Sequence, residues 1–240
     1  MDKFTPSSPS SAFGGGAAAS YDAGLRAHML GIYRNMGVGL AITGGVAMAI
    51  ASSPGLSAAI FGTPLKWVAM FAPLAFVMAF SFRIERMTTA AARMAFFAFA
   101  GVMGVSMASI FLVFTGQSIA TTFFIAASMF LAMSLWGYTT GRDLAKMSTF
   151  LMMGVVGVVI AGLVNVFLAS SVLQLVLSIV GVVVFTLLTA FDTQRAKAEY
   201  FAYAGTQAAD KLAIMSALSL YLNLVNMFQL LLSFFGQREE

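Results

Sequence analysis

A chain of 240 residues that is 60% hydrophobic and only 9% charged cannot coat a water-soluble surface, which takes about a quarter charged residues. Its mean hydropathy of +0.92 makes lipid the solvent for much of that surface. Lack of cysteine excludes disulfides, thiolate metal sites and cysteine nucleophiles, and the net charge of +4 does not indicate nucleic acid, because aromatic residues do not interleave the basic ones.

Residues 1–24 are rich in Ser, Gly and Ala and lack the apolar segment of a cleavable signal. They are expected to form a disordered cytoplasmic tail, followed by one transmembrane domain over residues 25–240. A membrane-crossing helix needs about 20 apolar residues, so uncharged gaps count the spans. Residues 35–65 hold the first, near 36–52, ending at the turn Ser53-Pro54-Gly55. Residues 67–82 hold a short second span, kinked at Pro73. Residues 94–141 fit two spans broken near Thr115-Gly116-Gln117-Ser118, and residues 147–191 two more broken near Ala169-Ser170-Ser171. Residues 212–237 hold the seventh. Between spans four and five, Asp143 is placed to cap the fifth helix. Gly101, Gly104, Gly154, Gly157 and Gly162 are expected to let helices approach closely.

With the N-terminus in the cytoplasm, the inside segments hold Lys3, Arg26, Arg34, Arg83, Arg86, Arg93, Arg142, Lys146, Arg195, Lys197 and Lys211, leaving Lys66 and Arg238 outside. Eleven of the 13 cations therefore fall on one side, and the C-terminus lies outside. Arg83, Arg86 and Arg93 read as interface anchors. Arg83 and Arg86 are also possible cation partners for an acid on that face.

Catalytic patterns are absent. His28 is a lone histidine and cannot build a metal site, and no phosphate loop, zinc-protease motif, serine elbow or paired-acid constellation is present. The chain is expected to be no enzyme, with no metal and no cofactor. One acid stands out: Asp192 closes the apolar run of the sixth span, three residues before Arg195. A carboxylate at the centre of a span costs roughly 3 kcal/mol on insertion scales, so an interior-facing acid is a functional candidate. The plainer alternative is a helix-end acid paired with Arg195 or hydrated at the surface.

The seventh span has a polar face. At 100° per residue, Ser216, Ser219, Asn223, Asn226 and Ser233 share a sector roughly 100° wide, with Gln229 beside it. Lipid offers these groups no partners, so the face turns inward. It serves either as hydrogen-bond glue between helices or as the lining of a polar pore. Asn223 lies ~18 Å along the helix from Lys211, which can bring it level with Asp192.

Four stretches together carry a family resemblance: Leu188-Thr189-Ala190-Phe191-Asp192-Thr193-Gln194; Ala217-Leu218-Ser219-Leu220-Tyr221-Leu222-Asn223-Leu224-Val225-Asn226-Met227-Phe228; Ser134-Leu135-Trp136-Gly137-Tyr138-Thr139-Thr140-Gly141-Arg142-Asp143-Leu144; and Ala161-Gly162-Leu163-Val164-Asn165. In these runs, and over about residues 25–236, the chain resembles the bacterial members of the Bax inhibitor-1 family. The resemblance implies an all-α integral membrane protein of seven transmembrane helices, the last central in a bundle of six, in the bacterial cytoplasmic membrane. It also implies a pH-sensitive calcium leak, in which two acids on the last two helices share a proton and hold the pore closed. Asp192 matches the first acid, but Asn223 occupies the position of the second. Only one member of that pair titrates here, so the pH sensing is expected to be altered. Some bacterial relatives are instead associated with a membrane-bound protease and its quality-control partners. The alternative function is therefore a non-conducting modulator of such a protease, with residues 1–24 as its handle.

Overall fold

The structure, a computed structural model, describes residues 12–237. Its helices are α1 (Ala12–Ala51), α2 (Pro54–Phe61), α3 (Leu65–Arg83), α4 (Thr89–Val113), α5 (Gly116–Thr139), α6 (Ser148–Leu168), α7 (Ser171–Tyr203) and α8 (Gln207–Phe235). Single 3₁₀ turns lie at Ile84–Arg86 and Leu144–Met147. All of these helices except the short α2 are long and apolar enough to cross a membrane, which makes the protein a seven-span all-α membrane protein.

The breaks are set by hydroxyl caps. Thr88, Thr115, Ser170 and Thr206 each precede a helix and accept a hydrogen bond from the backbone N–H three residues on. Asp143 caps the 3₁₀ turn before α6 and not α6 itself, its carboxylate accepting from Ala145 N at 3.0 Å. The turn at Ser53 also differs from expectation, because Pro54 opens the short α2 at a position where its missing N–H costs nothing.

Several spans extend beyond their uncharged gaps, the first and the sixth furthest. The first runs on through Arg26 and Arg34, because both lie on the exposed side of α1 while Leu25, Met29, Ile32 and Met36 are buried at helical spacing. Residues 12–24 of the expected tail are helical, in a stretch containing the helix-favouring run Ala17-Ala18-Ala19; residues 1–11 lie outside the described residues. The sixth span continues past Asp192 for about three further turns, to Tyr203.

α8 is the most buried span and α6 the least. α8 packs closely on α1, α4, α5 and α7, while α3 rests chiefly on α4 and α6 on α7. Tyr221 fixes α8 at the core: its ring meets Phe96 and Phe99 edge-on at 5.6 and 5.9 Å, and its hydroxyl lies 2.6 Å from Thr43 Oγ1 of α1. α1 and α4 cross closely at Gly104, where a Cβ would lie 2.7 Å from the Thr43 carbonyl oxygen. Gly154 sits similarly tight against Val184, but Gly101, Gly157 and Gly162 face open space, so close packing does not explain those three. Exposed Phe, Met, Val and Leu side chains cover the outer faces of α3, α6 and α7, as a lipid-facing surface requires.

Candidate functional site

One turn of α7 sends its side chains in four directions. Thr193 reaches α5, its hydroxyl 3.0 Å from Ser134 Oγ, which in turn bonds Tyr33 of α1. Gln194 holds the loop between α5 and α6, donating to Arg142 O at 2.8 Å and accepting from Leu144 N at 2.9 Å. Asp192 faces α8 and is 6% exposed. Arg195 turns back along its own helix between two acids, 3.4 Å from Asp192 Oδ1 and 3.3 Å from Glu199 Oε1. Gly137 makes this turn of helix accessible to α5, because a Cβ there would lie 2.2 Å from the Ala190 carbonyl oxygen.

α8 runs antiparallel to α7 and presents matching rungs. Ser216 Oγ donates to Glu199 Oε2 at 2.9 Å. Arg195 Nη2 reaches Ser219 Oγ at 3.4 Å. Asn223 Nδ2 donates to Asp192 Oδ2 at 2.8 Å. Residues 192, 195 and 199 lie on one face of α7 at helical spacing, and 216, 219 and 223 do the same on α8. Both Asp192 oxygens are thus engaged, one by an amide and one by a guanidinium. A hydrogen bond to a charged group contributes roughly 1.5–3 kcal/mol. The Arg195 ion pairs contribute less, since its side chain is 39% exposed.

α8 is less closely approached by α3 and α6, and a cavity of about 620 Å³ fills that space. Its polar lining includes Asp192, Arg195, Ser219, Asn223, Asn226 and Gln229. Gln174 adds to this polar lining, and the rest of the wall is apolar, supplied by Met70 of α3, Leu222 and Leu230 of α8, and side chains of α6 and α7. The volume is many times the ~30 Å³ share of one water, and the polar groups offer water the partners it needs.

A family model described as inhibitor of apoptosis-promoting Bax1 matches residues 25–240. The chain belongs to the Bax inhibitor-1 family. Its relatives include the inner membrane protein YbhL of Escherichia coli (strain K12), 39% identical over 219 residues, which span 90% of this chain and 94% of that protein. A Rickettsia prowazekii (strain Madrid E) protein is 42% identical over 221 residues, covering 92% and 94% of the two chains. A Caulobacter vibrioides (strain ATCC 19089 / CIP 103742 / CB 15) protein is 40% identical over 234 residues, covering 93% and 94%. In this Bax inhibitor-1 family member, the last two helices place one carboxylate, Asp192, against one amide, Asn223.

The site residues expected from the sequence fall into three groups. Asp192 and Asn223 are in direct contact. Ser219 and Asn226 line the cavity with them, whereas Ser216 lies beyond it, bonded to Glu199. Arg83 and Arg86 are not the cations at Asp192: both are exposed at the end of α3, which packs on α4, and the cation beside the acid is Arg195. His28 packs at a tilt against Tyr200, with ring centroids 5.3 Å apart, docking α1 on the extension of α7.

Glu199 was missed because the sixth span was expected to end at residue 191. Its spacing of seven from Asp192, two turns on the same face, was the available signal. Among the described residues, no three His, Cys, Asp or Glu side chains cluster as metal ligands.

Proposed function

We propose that this protein is a cation leak of the bacterial inner membrane, with calcium the ion its oxygen ligands suit best. The observation that carries the proposal is a buried carboxylate, Asp192, on the polar side of a cavity alongside the most buried helix. Its two oxygens are held by Asn223 and Arg195. The Arg195–Glu199–Ser216 cluster lies on the side of Asp192 away from the cavity's inner reach, among the charged residues that the positive-inside rule assigns to the cytoplasm. In this orientation the N-terminus is cytoplasmic, and seven spans put the C-terminus outside.

The described arrangement is a closed state. A cation approaching from the cavity meets Asp192 as the one negative charge on its lining, balanced by Arg195. Opening requires Arg195 to swing toward Glu199 alone, or α7 and α8 to part at the Asp192–Asn223 bond. An amide partner can donate whenever the acid is ionised, so closure does not need a proton shared between two acids. The deciding measurement is calcium flux into liposomes containing the purified protein, compared with Asp192→Asn. Flux that depends on Asp192 is expected; equal flux in wild type, variant and empty liposomes would sink the proposal.

A further inference from the structure

A second polar cluster lies at the far end of the same helices, where α6 turns into α7. Asn165 of α6 donates from Nδ2 to Gln174 Oε1 of α7 at 3.0 Å, and its Oδ1 accepts from Ser170 N at 3.0 Å. Gln174 Nε2 then donates to Ser233 Oγ of α8 at 2.7 Å. One glutamine side chain therefore ties three spans together. These residues border a vestibule of about 650 Å³ around the α6–α7 loop. Ser178, one turn beyond Gln174, also lines it; the residue is 1% exposed and its hydroxyl has no hydrogen-bond partner among the described residues. The polar groups on the vestibule wall offer water the partners it needs.

Among the described residues, Gln174 is the one that lines both this vestibule and the Asp192 cavity. We infer that Gln174 is the partition between these two cavities, held shut by its bonds to Asn165 and Ser233, and that its release joins the α6–α7 face to Asp192. The inference rests on the leak proposed above and locates its second barrier. One barrier is the charged Asp192–Asn223–Arg195 group; the other is a neutral amide bridge. A neutral bridge suits that position, since swapping amide and hydroxyl partners for water exposes no unpaired charge. A third cavity, beneath Lys66 and Trp67, also touches the Asp192 cavity, but through Gln229 flanked by apolar Met70 and Val166. That approach is the competing route.

The cysteine-free chain makes the test direct, because Asn226→Cys places a single thiol inside the Asp192 cavity. A charged, membrane-impermeant thiol reagent is applied to spheroplasts and, separately, to inside-out vesicles. Ser171→Cys, at the exposed vestibule mouth, identifies the side carrying the α6–α7 loop. From that side, Gln174→Ala is expected to speed modification of Cys at position 226 at least tenfold. Ser233→Ala, which leaves Gln174 in place but removes its bond to α8, is expected to give a smaller acceleration. The Ser171→Cys rate should stay constant in all backgrounds, showing that the fold is kept. Equal rates at position 226 in every background, or acceleration by Gln229→Ala alone, would overturn the partition. Calcium flux is measured on the same variants in liposomes. Faster labelling without flux leaves the partition standing and removes the leak, whereas flux that rises without faster labelling removes the partition.

Discussion

Replacing Asn223 with Ala removes the amide that donates to Asp192 Oδ2 at 2.8 Å. Asp192 is 6% exposed in the native protein, and the carboxylate's remaining ion-pair partner is Arg195, at 3.4 Å and substantially solvated. A hydrogen bond to a charged group is worth roughly 1.5–3 kcal/mol. Asn223 itself is 4% exposed, so a small cavity adds to the loss. A double-mutant cycle separates the two effects: Asp192→Ala, Asn223→Ala and the pair, measured by reversible unfolding in mixed detergent micelles. The coupling energy is expected near 1.5–3 kcal/mol, above the ~0.6 kcal/mol average for polar pairs between membrane helices, because one partner is charged. Thr115→Ala supplies the control. Its hydroxyl caps α5 at Ser118 N and shares no partner with Asp192, so it should combine additively with Asp192→Ala within ~0.5 kcal/mol. A coupling below ~0.5 kcal/mol between Asp192 and Asn223 would refute the view that this bond latches α7 to α8.

Three further outcomes follow from particular contacts. Arg195→Gln removes the cation between Asp192 and Glu199 and should raise calcium flux severalfold in liposomes, with Arg195→Lys closer to wild type; unchanged flux in Arg195→Gln would show that the guanidinium does not hold the closed state. Gly137→Ala should destabilise by about 1–3 kcal/mol in the same unfolding assay, because its Cβ would lie 2.2 Å from a backbone oxygen, whereas Gly44→Ala, in open space, should be neutral or mildly stabilising. Tyr221→Phe keeps the ring contacts with Phe96 and Phe99 but loses the hydroxyl bond to Thr43, for an expected cost of about 0.6–1.7 kcal/mol; a loss above that range would mean the ring had shifted as well.

The number of spans was legible in the sequence because backbone hydrogen bonds must close within each helix in lipid, so an apolar run of sufficient length is a complete element. The breaks were legible for a similarly local reason: Thr115 and Ser170 cap the helices they precede. Helix ends marked only by charge were not. Arg26 and Arg34 lie on the exposed side of α1, and Arg195 and Glu199 continue α7 well beyond its apolar stretch. A charge forbids a position in hydrocarbon, but it does not end a helix that can turn it toward water or toward a partner. Gln174 was hidden for the opposite reason: an uncharged amide does not interrupt an apolar gap, although this one joins three helices.

The sequence by itself determined that this is a seven-span membrane protein, that Asp192 is the acid to explain, and that α8 carries a polar stripe needing partners inside the protein. Only the tertiary structure decided which partners those are. It paired Asn223 with Asp192 across 31 positions, chose Arg195 over Arg83 and Arg86, brought Glu199 to Ser216, and left a cavity where α3 and α6 stand back from α8. The physical reason is that hydropathy acts on each helix separately. Lipid solvates every apolar face alike, so the choice of neighbours rests on contact geometry, such as the notch at Gly137 and the Tyr221–Thr43 bond, and on the requirement that each buried polar group find a partner.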